Sequence, residues 1–159
     1  MIKVTIIALG KIKEKHFASA CEEYIKRLKG YCSLEIVEIE PIRLSEKASQ
    51  TEIEKALSKE AQLISSKIPV GSTVFAMCVE GKPISSEAFA QKIKDCCDMG
   101  KSITFIIGSS YGLSKNVKSA ADVKMSVSEM TFPHRLFRVM LLEQIYRGFK
   151  INEGSKYHK

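Results

Sequence analysis

The segment Gly108-Ser109-Ser110-Tyr111-Gly112 fits Gly-x-Ser-x-Gly and stands between a run that reads as a strand and one that reads as a helix, the setting of a nucleophile elbow. On that reading Ser110 is the nucleophile of a serine hydrolase, with Asp122 as acid and His134 or His158 as base. Too little chain follows Ser110 to carry the strands that present the acid and the histidine in such a fold. A competing reading needs no nucleophile: two glycines flank a tight turn, so that backbone amides can approach a ligand. Other reactive side chains form no constellation. The three histidines, His16, His134 and His158, are far apart, with no spacing to cysteine or carboxylate that predicts a metal site. There is no phosphate-binding loop or dinucleotide fingerprint. The five cysteines are odd in number and lack Cys-x-x-Cys spacing, which suits a reducing cytosol and the role of small buried hydrophobes.

The C-terminal stretch carries a second pattern. Between His134 and Lys159 six cations (Arg135, Arg138, Arg147, Lys150, Lys156, Lys159) face two acids, Glu143 and Glu153. Arg147 follows Glu143 by four residues, the spacing of an ordinary helical ion pair. The chain ends in Lys156-Tyr157-His158-Lys159, an aromatic ring among cations that can stack on a base and hold a backbone. A frayed terminus is the alternative. The whole chain of 159 residues has a formal charge of +7, which favours phosphate-rich partners without naming one and equally fits a solvated lysine-rich surface.

These residues must be positioned by a scaffold, and the hydrophobic pattern gives one. Short β-branched runs alternate with segments whose apolar residues recur three and four apart. Strands are expected at Ile2 to Leu9, Ser33 to Ile39, Thr73 to Val79, Ile103 to Ile107 and Lys124 to Val127. Helices are expected from about Glu14 to Lys29, from Ile53 to Ile68 with Pro69 ending it, from the Gly81-Lys82-Pro83 turn to about Cys97, from Ser114 to Ala121, and after Pro133. The alternation implies one α/β domain over residues 1–159, an open, mostly parallel sheet with helices on both faces. Ligands bind such sheets beyond the carboxyl ends of the strands, which selects the loops after Val79, Ile107 and Val127. The last helix, His134 to Lys150, is apolar around most of its circumference and needs cover on two sides. Either one monomer buries it entirely or a second copy covers one side through two-fold symmetry. No stretch has the length and apolarity of a membrane span or a signal peptide.

The block Met130-Thr131-Phe132-Pro133-His134, then Arg138-Val139, Glu143-Gln144-Ile145-Tyr146-Arg147 and the terminal Tyr157-His158-Lys159 resemble the ribosomal RNA large subunit methyltransferase H family of the SPOUT superfamily. The resemblance extends over the whole chain, including Gly10-Lys11, Gly81-Lys82 and the loop at Gly108. It implies a cytoplasmic homodimer with a deep C-terminal trefoil knot, which no periodicity argument could have produced. It implies transfer of a methyl group from S-adenosyl-L-methionine to N3 of a pseudouridine in a 23S rRNA stem-loop on the assembled ribosome, without metal or membrane. Carried over by motif, the cofactor is held by Met77, Gly108, Val127, Ser128, Glu129, Met130, Thr131 and Phe132. The catalytic residues are then Arg147, Tyr157 and His158, reaching over the partner's cofactor, with Arg138 and Lys159 on the RNA. Three positions depart from the family pattern. Met77 stands where leucine is common, Cys78 where an acid is usual, and Ser109 where a second glycine is frequent. If that glycine has a positive φ or lies against the cofactor, the serine weakens binding, which keeps open a non-catalytic RNA-binding protein on the same scaffold.

Overall fold

A computed structural model of the chain describes residues 1–158. The elements in chain order are β1 (Ile2–Leu9), α1 (Lys15–Leu28), β2 (Cys32–Ile39), α2 (Gln50–Ser65), β3 (Thr73–Pro83), α3 (Ser86–Asp98), β4 (Ile103–Ile107), α4 (Lys115–Ala120), β5 (Val123–Ser126) and α5 (His134–Asn152). The strands form one sheet in the order β2-β1-β4-β3-β5, every neighbouring pair parallel. Strands β1 and β4, with neighbours on both sides, are nearly continuous apolar runs and are almost wholly buried, as a parallel sheet covered on both faces requires. The edge strand β2 (CSLEIVEI) instead exposes Ser33, Glu35 and Glu38.

Two cores result. On one face α1, α3 and α5 cover Val4, Ile6, Phe75, Phe105 and Ile107, and on the other α2 and α4 cover Ile7, Val74, Ala76 and Ile106. Local signals fix the helix starts. Ser49 and Glu52 form a reciprocal capping box on α2, and Ser85 and Ser114 accept from Ala88 N–H and Val117 N–H at the starts of α3 and α4. Each such cap contributes roughly 1 kcal/mol. The capping box starts α2 before Ile53, and it ends at Ser65 rather than at Pro69.

The third strand departs more from expectation. Gly81-Lys82-Pro83 does not turn the chain into a helix; it resumes the ladder after a register shift, with Lys82 opposite Met125 and Pro83 opposite Ser126. A Cβ on Gly81 would lie 2.6 Å from the Met125 nitrogen, so only glycine allows this strand to cross so close to β5. The residues between Met77 and Lys82 are thereby pushed out of register at the carboxyl edge of the sheet. No helix among the described residues is long and apolar enough to cross a membrane.

Candidate active site

The loops that leave β3, β4 and β5 at their carboxyl ends meet in one cleft of about 570 Å³. Its walls include Met77, Cys78 and Glu80 from the β3 excursion, Gly108 to Leu113 from the glycine loop, and Ser126 to Ser128 with Met130 to His134 from the β5–α5 connection. A cleft of this size suits a ligand of cofactor dimensions. Of the eight residues predicted to bind cofactor, Met77, Gly108, Val127, Ser128, Met130, Thr131 and Phe132 line it; Glu129 does not. Sequence reasoning missed Glu80 and Lys118, which form an ion pair of 3.0 Å on its wall, and also Phe137 and Leu113, and it gave His134 no place at the cofactor. A pair separated by 38 residues carries no periodic signal.

Each loop is held locally. In the glycine loop, Gly112 N–H donates to the Ser109 carbonyl at 2.8 Å, and a Cβ on Gly108 would lie 2.6 Å from the Gly112 carbonyl carbon. Past β5, the Ser126 hydroxyl donates to the Ser128 carbonyl at 2.7 Å, and the Met130 amide donates to Ser128 Oγ at 3.0 Å. The serines thus shape the turn that carries Val127 to Phe132. Val79, Tyr111 and Met130, all lining the cleft, leave large apolar side chains exposed.

Electrostatics differ from wall to wall. Lys118 holds the Glu80 carboxyl below its ordinary value. Burial raises the Cys78 thiol. Burial, then the charges of Arg135 and Arg138, lower the His134 imidazole, so His134 favours its neutral form on the cleft wall.

The predicted catalytic residues are brought together, but outside this cleft. On α5, Arg147 Nε donates to Glu143 Oε1 at 2.9 Å, and its guanidinium carbon lies 4.8 Å from the centre of the Tyr157 ring. Arg147 Nη1 is 3.4 Å from His158 Nδ1, and His158 Nε2 is 2.6 Å from Glu87 Oε1 at the start of α3. Hydrogen bonds to its own backbone amide, then to His158 and Ser85, bring the Glu87 carboxyl down to about 2. Tyr157 also stacks edge-on against Tyr146, with centroids 5.1 Å apart. Through His158 the tail is therefore anchored, not frayed. A second cavity of about 370 Å³ has Glu143 and Gln144 on one side and shares Met125, Ser126 and Val127 with the cofactor-sized cleft. The end of β5 is thus a common wall between cleft and tail cluster.

Other expectations need correction. Arg138, predicted on the RNA, is 6% exposed; its guanidinium donates to Glu38 and, at 2.7 Å, to the Gly10 carbonyl. It ties the ends of β1 and β2 to α5 and has no free face for a phosphate. Lys159 lies outside the described residues. The hydrolase arrangement is not assembled: the Asp122 carboxylate accepts from the Val74 amide at 2.7 Å, at the amino end of β3, whereas Ser110 sits beyond the carboxyl end of β4. Among the described residues no non-glycine residue has a positive φ, so Ser109 carries no backbone strain; it does line the cleft, and its hydroxyl donates to Glu60 at 3.3 Å.

On α5, residues 134–151 contain no fully exposed position. Helices α1 and α3 flank it, yet Leu136, Phe137, Val139, Met140 and Tyr146 stay only partly covered. A single chain thus buries one side of the helix and leaves apolar side chains on another.

Comparison with known proteins gives this architecture a lineage. The family model described as "Predicted SPOUT methyltransferase" matches residues 2–158. The ribosomal RNA large subunit methyltransferase H of Clostridium beijerinckii is 50% identical over 99% of this chain and 100% of its own; that of Carboxydothermus hydrogenoformans is 46% identical over the same shares. Among solved structures, a probable methylase family protein from Haemophilus influenzae Rd KW20 superposes with a TM-score of 0.59 at 13% identity, covering 100% of this chain and 72% of that one. A probable methyltransferase from Bordetella pertussis Tohama I gives 0.58 at 14%, covering 92% and 96%. At such identities the structures share the fold, and the sequence matches carry the family: this chain belongs to the SPOUT methyltransferases, in the family of the ribosomal RNA large subunit methyltransferase H proteins.

Proposed function

We propose that this protein, as a single domain of residues 1–159 in a cytoplasmic homodimer, uses S-adenosyl-L-methionine to methylate N3 of a pseudouridine in the 23S rRNA of the assembled ribosome. The observation that carries the reading is the meeting of the β3, β4 and β5 loops in one cleft of cofactor size. The residues fit the cofactor: Met77, Ile107, Val127 and Phe132 offer apolar walls for an adenosine, and the turns at Gly108 to Gly112 and Ser126 to Met130 bring backbone groups to the same place. When bound, the cofactor supplies a methyl group on a sulfonium, a good leaving group, so the main task of the protein is to align the accepting nitrogen.

N3 of a neutral uracil ring carries a proton, which must leave as the new bond forms. On this reading His158 accepts it at Nδ1 as Arg147 turns from that nitrogen to the substrate, while its Nε2–H donates to Glu87, which orients the ring. Arg147 stabilises the anionic oxygen that develops beside N3, and Tyr157, edge-on to Tyr146, offers a stacking face for a base. Because these groups lie outside the cleft of their own chain, they act over the cleft of the partner. The half-covered side of α5 is the surface that a second copy buries, and the C-terminal trefoil knot belongs to the same reading.

Mass spectrometry of 23S rRNA from cells lacking the gene tests the reading. One methylated pseudouridine should disappear and return when purified protein and S-adenosyl-L-methionine are added to those ribosomes. Unchanged rRNA would refute it.

A further inference from the structure

Glu60 is 3% exposed, although it carries no partner of opposite charge among the described residues. It projects from α2 beneath the glycine loop. One carboxylate oxygen accepts from the Ile42 amide at 2.9 Å and the other from the Ser109 hydroxyl at 3.3 Å. Glu60 thus joins α2, the β2–α2 connection and the loop that forms one wall of the cleft. A glutamine could make similar bonds without a buried charge, and burying an unpaired carboxylate is costly. Burial pushes its carboxyl above the ordinary value, partly offset by those two bonds. Charged groups on the enclosing elements do not neutralise it. Glu40 pairs with Arg43 and Glu80 with Lys118, while Lys55, Lys59 and Lys115 point to solvent.

We propose that Glu60 is a positioning residue of the cofactor cleft: it holds the glycine loop through Ser109, and its uncompensated negative charge favours a cationic ligand over the neutral product. This inference rests on the proposed use of S-adenosyl-L-methionine. That cofactor carries a sulfonium charge, and S-adenosylhomocysteine, left after methyl transfer, does not. One serine side chain separates the carboxylate from the cleft, and in so dry a setting the field of an unpaired charge reaches several ångströms. The charge helps load the substrate form and release the product form, while the Ser109 bond fixes the wall for both.

Calorimetric titration of both ligands separates these roles. Glu60→Gln should weaken S-adenosyl-L-methionine by about fivefold more than S-adenosylhomocysteine. Ser109→Ala, which loses the bond and leaves the carboxyl in place, should weaken both ligands by more than it alters their ratio. In the wild type the preference for S-adenosyl-L-methionine should fall as pH drops and Glu60 gains a proton. His134 on the opposite wall also turns positive on acidification, so the same titration in His134→Gln must retain the trend, and Glu60→Gln must reduce it. An unchanged ratio of the two affinities in a folded Glu60→Gln protein overturns the inference. Should that variant not fold, a wild-type ratio independent of pH overturns it instead. A wild type that binds neither ligand refutes the proposed cofactor along with it, whereas normal binding with an unaltered ratio refutes the role of Glu60 alone.

Discussion

The cleft at the end of the sheet and the cluster at the end of the chain are built by opposite means. The cleft is made of loops whose positions follow from strand order: with β4 between β1 and β3, and β5 outside β3, three loops distant in sequence emerge side by side. The tail cluster is made of side chains, with Arg147, Glu143, Tyr157, His158 and Glu87 holding one another by charge and ring contacts. The first rests on backbone geometry, including glycines that leave no room for a Cβ; the second rests on side chains in contact with one another. On the proposed function methyl transfer needs both, and one chain keeps them apart across the end of β5, so on that reading the protomer holds all the parts and not the assembled site.

The comparison can be broken most severely at Arg147. Arg147→Ala should lower the methylation rate on ribosomes by roughly a hundred- to a thousandfold, and leave S-adenosyl-L-methionine affinity within about twofold, as expected of a group that acts only in the transition state. A parallel loss of cofactor affinity, read by calorimetry, would merge the two regions. Next in size is Arg138, which anchors the start of α5 on which both regions depend. Arg138→Ala removes a buried side chain and leaves the Gly10 carbonyl without its donor, and should cost about 2 kcal/mol of stability in denaturant unfolding, with no change in the salt dependence of ribosome binding. A reduced salt slope would return Arg138 to the RNA.

A sharper cut falls on the cleft alone. Gly108→Ala forces a Cβ against Gly112 and should weaken the cofactor by about thirtyfold, the scale of overpacking, while near-ultraviolet dichroism of the tyrosines around Tyr157 stays unchanged. The smallest effect concerns His134. Its depressed value means that the unfolded chain binds the proton more readily. Its contribution to stability is therefore fully present above the ordinary histidine value, about 6.5, and is lost as pH falls through the lower folded value. Melting temperatures followed across that range should drop on the acid side, and His134→Gln should flatten the profile. An identical profile in the variant would remove His134 as the cause.

Much of this was visible in the sequence. Strands β1 and β4 have the predicted bounds because central parallel strands are unbroken apolar runs, and the three ligand loops followed from the alternation of elements alone. The return of β3 at Gly81 was not visible, since Gly-Lys-Pro is turn chemistry wherever a neighbouring strand does not claim it. The Ser49-x-x-Glu52 capping box that starts α2 is a legible sequence pattern, and apolar spacing alone does not register it because neither residue is apolar. The family motif put Arg138 on the RNA, and nothing nearby in sequence announced its burial, since its partners Glu38 and Gly10 are about a hundred residues away or more. Glu60 gave no sign, because nothing in its sequence neighbours announces burial.

The claim that cleft and tail come from different chains is tested most directly by mixing two inactive proteins. At cofactor concentrations near the wild-type dissociation constant the Gly108→Ala cleft stays almost empty, and Arg147→Ala lacks a working tail, so a mixed dimer holds one complete site. Unfolding and refolding the two together should restore about a quarter of wild-type ribosome methylation, as random pairing in a two-fold dimer dictates. Activity no greater than the sum of the two variants measured separately would contradict the account.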